Sequence, residues 1–136
     1  MSTCLRARVG SEAYAIPVEQ VREVTDLGDV TPVPGSRPGL LGVRILRGTI
    51  VPVVDLALLL GIPRLEQPGS LVVVENEGWR VGFAVAEVNA VGELAEPTED
   101  TRSGLLAGAT LTDGELVGVI DVPRAFDQLL PAGVPR

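Results

Sequence analysis

The densest group of side chains that could do chemistry is an acidic cluster formed by Glu93, Glu96, Glu99 and Asp100. Two carboxylates held close together can act as general acid and general base, as they do in glycoside hydrolysis. Here Pro97 lies within the cluster, and a proline among acidic residues is typical of a solvated loop. The chain also has no histidine, the residue that serves most often as general base and metal ligand. The sequence therefore predicts no catalytic residue, no metal site and no cofactor.

Two further features with chemical potential are a glycine-rich segment and a cysteine. The segment GLLAGATLTDG, from Gly104 to Gly114, lacks the basic residue that a phosphate-binding loop needs. Cys4 is the only cysteine, so the chain cannot form an internal disulfide, which fits a reducing compartment. Because Cys4 lies in a predicted strand, we interpret it as a small apolar core residue rather than as a reactive thiol.

Size and charge limit the possible partners. The chain of 136 residues is 46% hydrophobic, which is enough to bury a core, and we expect a single domain spanning residues 1–136. Its 18 acidic and 11 basic residues give a net charge of −7, so we expect no nucleic-acid partner. The longest apolar runs are about half of the ~18 residues that a membrane span requires. Since the first residues do not form a basic secretory signal either, we expect a cytoplasmic protein that does not insert into a membrane.

Short segments rich in valine, isoleucine and leucine alternate with proline and glycine along the chain. This pattern predicts a mainly β protein, because β-branched residues favour strands and proline and glycine mark turns. Many short, closely spaced strands are typical of a barrel or a sandwich. The predicted strands are Cys4–Val9, Ala13–Ile16, Val21–Leu27, Leu40–Leu46, Thr49–Val54, Leu71–Glu75, Arg80–Val85, Val88–Leu94, Ala107–Leu111 and Glu115–Ile120.

The chain resembles itself at an offset of 66 to 67 residues. The segment LRGTIVPVVDLALLL, which begins at Leu46, aligns without a gap on TDGELVGVIDVPRAF, which begins at Thr112. Four earlier residues align in the same order on four later ones: Ile16, Val18, Val21 and Val24 on Phe83, Val85, Val88 and Val91. We therefore predict two barrel halves, about 1–66 and about 67–136, that share one core. Residues 50–54 are apolar on both faces except at Pro52, as expected if one face lies inside a barrel and the other packs against the second half.

Each half has an aspartate at the end of a strand and before a helical segment. Asp55 precedes Leu56–Leu60 and Gly61, and Asp121 precedes the stretch Ala125–Leu130. An aspartate at an N-cap accepts hydrogen bonds from the first N–H groups of a helix, and a glycine often ends the helix in the left-handed conformation. Because the aspartate occurs in both halves, we interpret Asp55 and Asp121 as structural caps rather than as catalytic groups.

Two charged residues do not recur in the repeat. Arg47 aligns with Asp113, and Glu23 aligns with Ala90, so the second half forms its barrel without either charge. The alternation in Val21-Arg22-Glu23-Val24 predicts that Val21 and Glu23 share one face of a strand. We infer a Glu23–Arg47 pair, which is either a solvated surface ion pair worth about 0–1 kcal/mol or part of a binding site.

Four segments together resemble the CheW-like domain family in order and spacing. They are YAIPVEQVREV (Tyr14–Val24), TPVPGSRPGLLGV (Thr31–Val43), LRGTIVPVVDL (Leu46–Leu56) and GELVGVIDVPRAF (Gly114–Phe126). The family comprises adaptors that couple chemoreceptors to the CheA histidine kinase. The resemblance covers nearly the whole chain and implies two five-stranded SH3-like barrels around a common core, in agreement with the internal repeat.

The resemblance also implies a scaffold without catalysis that has two partners. The cytoplasmic tip of a methyl-accepting chemoreceptor would lie in the groove between the barrels, and the regulatory domain of a CheA-type kinase would bind the barrel ends. Such a protein would be recruited to membrane-associated receptor arrays. The residues that would line or support the receptor groove, carried over by position, are Val21, Glu23, Arg47, Val88 and Val91.

Two adjacent positions depart from the family pattern. The family usually has Ile-Asn before Leu-Arg-Gly, whereas this chain has Arg44 and Ile45. The alternative to receptor coupling is a divergent double-barrel module that docks on another regulator or dimerises. Co-purification with a CheA-type kinase would distinguish the two functions.

Overall fold

A computed structural model describes residues 1–35, 39–63 and 67–129. Within these ranges the chain forms ten β-strands, two α-helices and two 3-10 helices, at Val18–Gln20 and Glu99–Thr101. The strands are β1 Ser2–Val9, β2 Glu12–Pro17, β3 Val21–Asp26, β4 Leu40–Leu46, β5 Thr49–Asp55, β6 Ser70–Asn76, β7 Trp79–Val85, β8 Glu87–Leu94, β9 Leu106–Thr112 and β10 Glu115–Ile120. The helices are α1 Leu56–Leu60 and α2 Val122–Leu129. The prediction of a mainly β protein is confirmed, and each predicted strand matches an observed one.

The strands form two five-stranded sheets, each with strands from both halves of the sequence. Sheet A has the order β8-β1-β2-β10-β9, and sheet B has the order β3-β6-β7-β5-β4. The chain thus leaves sheet A after β2 and returns to it after β7. Assigning one barrel to residues 1–66 and the other to residues 67–136 is therefore wrong in this respect. The strand pairing is the physical reason. Strand β2 pairs in parallel with β10, and β7 pairs in parallel with β5, so each pair joins a strand of the first half to a strand of the second half. Parallel neighbours cannot be joined by a tight turn.

The internal repeat nevertheless relates the two sheets. Val53 of β5 lies opposite Gly82 of β7, and Val119 of β10 lies opposite Ala15 of β2. These two pairings are equivalent under the offset of 66 to 67 residues seen in the sequence. The molecule is therefore a duplication of a five-stranded unit in which the two copies have exchanged their first two strands. The boundary between the copies falls beside residues 64–66, which lie outside the described residues.

Contacts between edge strands give each sheet its SH3-like barrel form. In sheet B, the segment that follows β3 meets β4, since Thr31 and Val43 exchange two backbone hydrogen bonds of 2.9 Å. The Arg44 guanidinium also donates to the backbone carbonyls of Asp26, at 3.0 Å, and Leu27. Arg44, which departs from the family pattern, therefore helps to close barrel B.

In sheet A, a similar closure joins the segment after β8 to β9. The N–H of Ala109 in β9 donates to the Thr101 hydroxyl at 2.7 Å. The prediction of two five-stranded SH3-like barrels is confirmed.

The buried side chains form one cluster between the barrels and one inside each barrel. The shared cluster includes Ile16 of β2, Phe83 of β7, Leu56 of α1 and Phe126 of α2, so both sheets and both helices contribute to it. The cluster inside barrel A consists of Cys4, Ala13, Ala15, Leu94, Val117 and Val119. The cluster inside barrel B consists of Val51, Val53, Leu71, Val73 and Ala84. The predicted common core is thus present in the structure.

Strand β5 shows how one strand serves two of these clusters. Val51 and Val53 point into barrel B, whereas Val54 belongs to the shared cluster. This is the two-sided packing expected for residues 50–54. Ile50 is an exception, because it is 66% exposed to solvent.

Candidate partner-binding site

The predicted ion pair between Glu23 and Arg47 is present in barrel B. Arg47 Nε lies 3.4 Å from Glu23 Oε1, and the Arg47 side chain is 82% exposed while that of Glu23 is 28% exposed. The pair joins edge strand β3 to the turn that follows edge strand β4. An ion pair as exposed as this contributes about 0–1 kcal/mol to folding, so its guanidinium remains available to a partner.

The turn that carries Arg47 does not need an arginine. Arg47 and Gly48 both have positive φ angles, 51° and 79°, as a two-residue type I′ turn requires. Asp113 and Gly114 form the equivalent turn of barrel A with φ angles of 51° and 77°. A left-handed conformation costs a residue with a Cβ about 1 kcal/mol or more, and arginine lacks the short polar side chain with which aspartate can offset that cost by local hydrogen bonding. The fold therefore fixes the glycine and leaves the preceding residue free for another role.

The expectation that Val21 and Glu23 share one strand face is wrong, because a β-bulge lies between them. Val21 is opposite Val74 and Glu23 is opposite Val73, so Arg22 is the extra residue of β3. Cross-strand partners lie on the same face of a sheet. Since Val74 belongs to the shared cluster and Val73 to the interior of barrel B, Val21 and Glu23 lie on opposite faces.

The same bulge places Val24 on the face of Val21. Val24 is opposite Val72, another residue of the shared cluster, and is itself 43% exposed. Val21 is half-buried and packs against the shared cluster. Strand β3 thus presents two valines, three positions apart, at the margin of the core that joins the barrels.

Strand β8 repeats this arrangement at the edge of sheet A. Val88 is opposite Ala7 and Val91 is opposite Leu5, with a bulge at the intervening Asn89. Ala7 and Leu5 both belong to the shared cluster, so Val88 and Val91 also lie on its face. Val88 packs against the cluster and Val91 is 60% exposed. We call Val21, Val24, Val88 and Val91 the valine surface.

Sequence reasoning missed Val24 as a member of this surface. It assumed strict alternation along β3, which a bulge interrupts. The signal was nevertheless present, because the repeat aligns Val21 and Val24 on Val88 and Val91. A spacing of three between equivalent valines in both halves does not fit a regular strand and indicates a bulge in each.

Asp55 and Asp121 occupy equivalent positions at the starts of the two helices. The Ala57 N–H donates to Asp55 Oδ1 at 3.0 Å, and Gly61 ends α1 in the left-handed conformation with a φ of 74°. The Arg124 N–H donates to Asp121 Oδ1 at 3.1 Å. Both carboxylates therefore satisfy helix N–H groups, as an N-cap does.

The acidic cluster is dispersed over a surface segment. Glu93, Glu96 and Asp100 are exposed, and the side chain of Glu99 lies outside the described residues. The Ser2 hydroxyl donates to Glu96 at 2.6 Å and, with the terminal amine, lowers the pKa of Glu96. A general acid at neutral pH would need a raised pKa instead. In the described part of the chain, no group of three or more cysteine and acidic side chains is arranged to hold a metal ion.

Cys4 is buried in barrel A, at 2% exposure. Burial raises the pKa of the Cys4 thiol, and Glu96 and Glu19 raise it further. The thiolate, which is the reactive form, is therefore disfavoured. Cys4 accordingly serves as a small apolar core residue.

An open cavity of about 630 Å³ lies beside α1. Its lining is mainly aliphatic and includes Leu40, Pro52, Leu58 and Leu129. Asp55, its one acidic lining residue among those described, is occupied in capping α1. The cavity therefore lacks the paired titratable groups that an acid–base site requires.

Comparison with known proteins gives the family. The CheW-like domain matches residues 3–130. The chain belongs to the CheW-like domain family. Chemotaxis protein CheW of Thermotoga maritima is 33% identical over 132 residues, covering 92% of this chain and 87% of that protein. Chemotaxis protein CheW of Bacillus subtilis is 35% identical over 130 residues, covering 88% and 83%.

A solved structure has the same fold. The scaffolding protein TtCheW from Thermoanaerobacter tengcongensis superposes with a TM-score of 0.79 at 24% identity, over 88% of each chain. In addition, none of the helices in the described residues is long and apolar enough to cross a membrane.

Proposed function

We propose that this protein is a non-catalytic chemotaxis adaptor that couples chemoreceptors to a CheA-type histidine kinase. The observation that carries the proposal is the valine surface. Two bulged edge strands, one from each barrel, expose equivalent valines at the margin of the shared core. This apolar surface suits the tip of a receptor's helical hairpin, whose apolar face would cover Val24 and Val91.

The Glu23–Arg47 pair lies on the face of edge strand β3 opposite to that of Val21 and Val24, and it would supply the polar part of the proposed receptor site along that edge. It occurs in barrel B alone, and the Arg47 guanidinium is largely solvent-exposed. A planar guanidinium with several N–H donors suits a carboxylate or a backbone carbonyl on the receptor hairpin. Glu23 would orient that guanidinium through the 3.4 Å contact.

The kinase would bind elsewhere, at the barrel ends. Its regulatory domain resembles this fold, so a barrel-to-barrel contact would bring similar surfaces together. The protein would then work in the cytoplasm, recruited to membrane-associated receptor arrays by its partners. The proposed function involves no catalysis, and three observations support this: the lowered pKa of Glu96, the burial of the Cys4 thiol and the capping role of Asp55.

Receptor binding by purified variants tests the proposal. The variants are Arg47→Ala, Glu23→Ala, Val24→Ser and Val91→Ser, each titrated at low micromolar concentration with a receptor hairpin fragment and then assayed for activation of a CheA-type kinase. We expect each to weaken hairpin binding about tenfold, or ~1.4 kcal/mol, while the melting midpoint moves little. The Glu23→Ala/Arg47→Ala double variant should lose less than the sum of the single losses, because the two residues act as one unit.

Asp113→Ala is the matched control for hairpin binding, because it alters the same turn position in the other barrel. It should bind the receptor hairpin normally. Unchanged affinity in the arginine, glutamate and valine variants would refute the proposed site. Losses of affinity that merely follow a lowered melting midpoint would mean that the Glu23–Arg47 pair has only a structural role. Absence of any kinase or receptor binding would favour the divergent interaction module.

A further inference from the structure

Two arginines of barrel B, Arg44 and Arg47, reach across to strand β3 from the opposite edge of the sheet. Strands β3 and β4 are the two edge strands of sheet B, and among the described residues no ladder of backbone hydrogen bonds joins them. Arg47, in the turn after β4, contacts Glu23 near the start of β3. Arg44, within β4, donates to the backbone carbonyls of Asp26 and Leu27 where β3 ends. Two guanidinium groups, three residues apart in the sequence, therefore bridge these strands.

The two arginines are held in different ways. Arg44 is half-buried and lies opposite Val51, so its side chain begins on the face that is turned into barrel B. Its guanidinium donates to two backbone oxygens, whereas the 82% exposed Arg47 contacts the side chain of Glu23. A charge-assisted hydrogen bond to the backbone is stronger than an exposed ion pair. Arg44 is therefore the residue that can fix the spacing of the two strands.

A glycine makes room for the Arg44 guanidinium. Gly28 follows the two accepting carbonyls, and a Cβ built on it would lie 2.5 Å from Arg44 Nη1 and 2.8 Å from Arg44 Cζ. The guanidinium thus lies directly against the bare backbone of the segment that follows β3. Further along this segment, Thr31 and Val43 exchange their two backbone hydrogen bonds. Arg44 accordingly fastens the beginning of a segment whose other end is already paired with β4.

Barrel A closes without an arginine. The residue equivalent to Arg44 under the 66-residue offset is Thr110, which is buried, and the closure uses the Thr101 hydroxyl instead. The equivalents of Glu23 and Arg47 in that barrel are an alanine and an aspartate. The fold therefore does not require an arginine at this position of the barrel. The arginine occurs in the barrel that carries the ion pair.

We propose that Arg44 is a positioning residue for the receptor site, because it holds β3 at a fixed distance from β4 and so keeps Glu23 in contact with Arg47. The inference rests on the proposed function and adds a residue to that site. A flexible arginine loses side-chain entropy when a partner orders it, and a guanidinium that is already oriented loses less. Arg44 would thus raise receptor affinity without contacting the receptor. Since the family usually has isoleucine at this position, the arrangement is a feature of this chain.

NMR of the free protein tests the positioning step. The ¹⁵N relaxation of the Arg47 Nε–H group reports the order of its guanidinium, under slightly acidic conditions that slow proton exchange. Wild-type protein should show an ordered Arg47 side chain, and Arg44→Ile should leave it mobile. Isoleucine suits a strand that faces a barrel interior, so this variant should fold. Arg44→Lys should restore only part of the order, because an ammonium lacks the planar fork of donors.

Arg124→Ala is the matched control for the lost charge and hydrogen bond. The Arg124 guanidinium also donates to a backbone carbonyl, that of Gly104, at 2.7 Å. Its removal changes the net charge by the same amount as Arg44→Ile, at a position in α2. This control should leave the Arg47 side chain ordered and bind the receptor hairpin normally.

A glycine variant tests the same step while Arg44 is retained. Gly28→Ala places a methyl group where the Arg44 guanidinium lies, so it should displace that group and make Arg47 mobile. Gly61→Ala is its control, because Gly61 has a similar φ, 74° against 64°, and an added Cβ would have no neighbour within 4 Å. It should leave Arg47 ordered. The pair keeps the test decisive if Arg44→Ile proves poorly folded.

A double-mutant cycle with the receptor hairpin fragment tests the consequence for binding. Arg44→Ile alone should weaken hairpin binding about fivefold. In an Arg47→Ala background the same substitution should change the affinity by less than about twofold, because it acts through Arg47. In a Val91→Ser background the full loss should remain, since Val91 lies on the other barrel.

Two results would overturn the proposal. Equal order of the Arg47 side chain in wild-type and Arg44→Ile protein would show that Arg44 does not position it. An equal loss of affinity with and without Arg47 would show that Arg44 acts on stability or contacts the receptor itself. Wild-type protein that binds no hairpin would instead refute the proposed function, and the NMR comparison would still decide whether Arg44 orders Arg47.

Discussion

The β4–β5 and β9–β10 hairpins have the same backbone and different surfaces. Their turns agree within 2° in φ at both positions, and both hairpins contain a glycine bulge in the strand before the turn. Yet one turn carries a cation and the other an anion. The shared features are those that the fold needs, and the differing residue is one that the fold leaves free. Comparison of the two copies within one chain thus separates residues that the fold requires from residues that it leaves free, without any second sequence.

The comparison extends to the ways in which the copies depend on each other. Sheet A takes β1 and β2 from the first copy and β8, β9 and β10 from the second, while sheet B does the reverse. Neither copy contains a complete sheet. The duplication therefore does not give two independent folding units, and separating the copies should destabilise the protein more than any single substitution would.

Splitting the chain into residues 1–66 and 67–136 should abolish folding of each fragment by itself. Each fragment would lose strand partners in both sheets and expose the shared cluster, and a chain of this size is marginal even with a complete core. Mixed in equal amounts, the fragments should recover a cooperative thermal transition. Circular dichroism with a melting curve makes both measurements. A sharp transition in one fragment alone would show that the exchanged strands are dispensable.

Two equivalent bulge glycines should give the next largest effect. Gly42 and Gly108 have φ angles of 149° and 154°, and each faces a crossing segment. A Cβ on Gly42 would lie 2.6 Å from the carbonyl carbon of Thr31, and one on Gly108 would lie 2.7 Å from Pro97 Cβ. Backbone strain and overpacking together should make either alanine variant less stable by about 3 kcal/mol.

The turn glycine Gly48 is the matched control for these variants. It also has a positive φ, 79°, but an added Cβ would have no neighbour within 4 Å. Gly48→Ala should therefore cost about 1 kcal/mol, which is the strain of the left-handed conformation alone. Urea denaturation measures all three variants. Equal losses at Gly42 and Gly48 would mean that the crossing segment moves aside without cost.

Local sequence patterns predicted most of the fold. Ten strands, both helix starts and the duplication followed from β-branched runs, turn residues and self-similarity, which act over a few residues each. The exchange of strands between the sheets did not follow. Strands β1 and β2 could each pair with a strand of their own copy or with the equivalent strand of the other copy. Because the two copies have almost the same hydrophobic pattern, the sequence does not decide between these pairings.

The candidate site was predictable to a smaller extent. The Glu23–Arg47 contact could be inferred because both charges are missing from the second copy. The bulges at Arg22 and Asn89 could not be read from alternation, since a bulge reverses the face of every residue that follows it. The solvent exposure of Ile45, Ile50 and the equivalent leucines, Leu111 and Leu116, could not be predicted either, because the sequence alone does not distinguish an exposed aliphatic residue in a strand from a buried one.

The smallest predicted effect compares the two helix caps. Asp55 is buried, at 1% exposure, whereas the Asp121 side chain is 21% exposed and lies 3.6 Å from Arg102. Water can reach the Arg124 N–H if the Asp121 carboxylate is removed, whereas Asp55 and Ala57 are both buried, so removal of the Asp55 carboxylate leaves the Ala57 N–H in largely apolar surroundings. We therefore expect Asp55→Ala to cost about 2 kcal/mol and Asp121→Ala about 1 kcal/mol, with unchanged urea m-values. Asparagine keeps the accepting oxygen, so Asp121→Asn should recover most of the loss if capping dominates and little if the Arg102 ion pair does. Equal losses in the two alanine variants would show that burial does not set the strength of the cap.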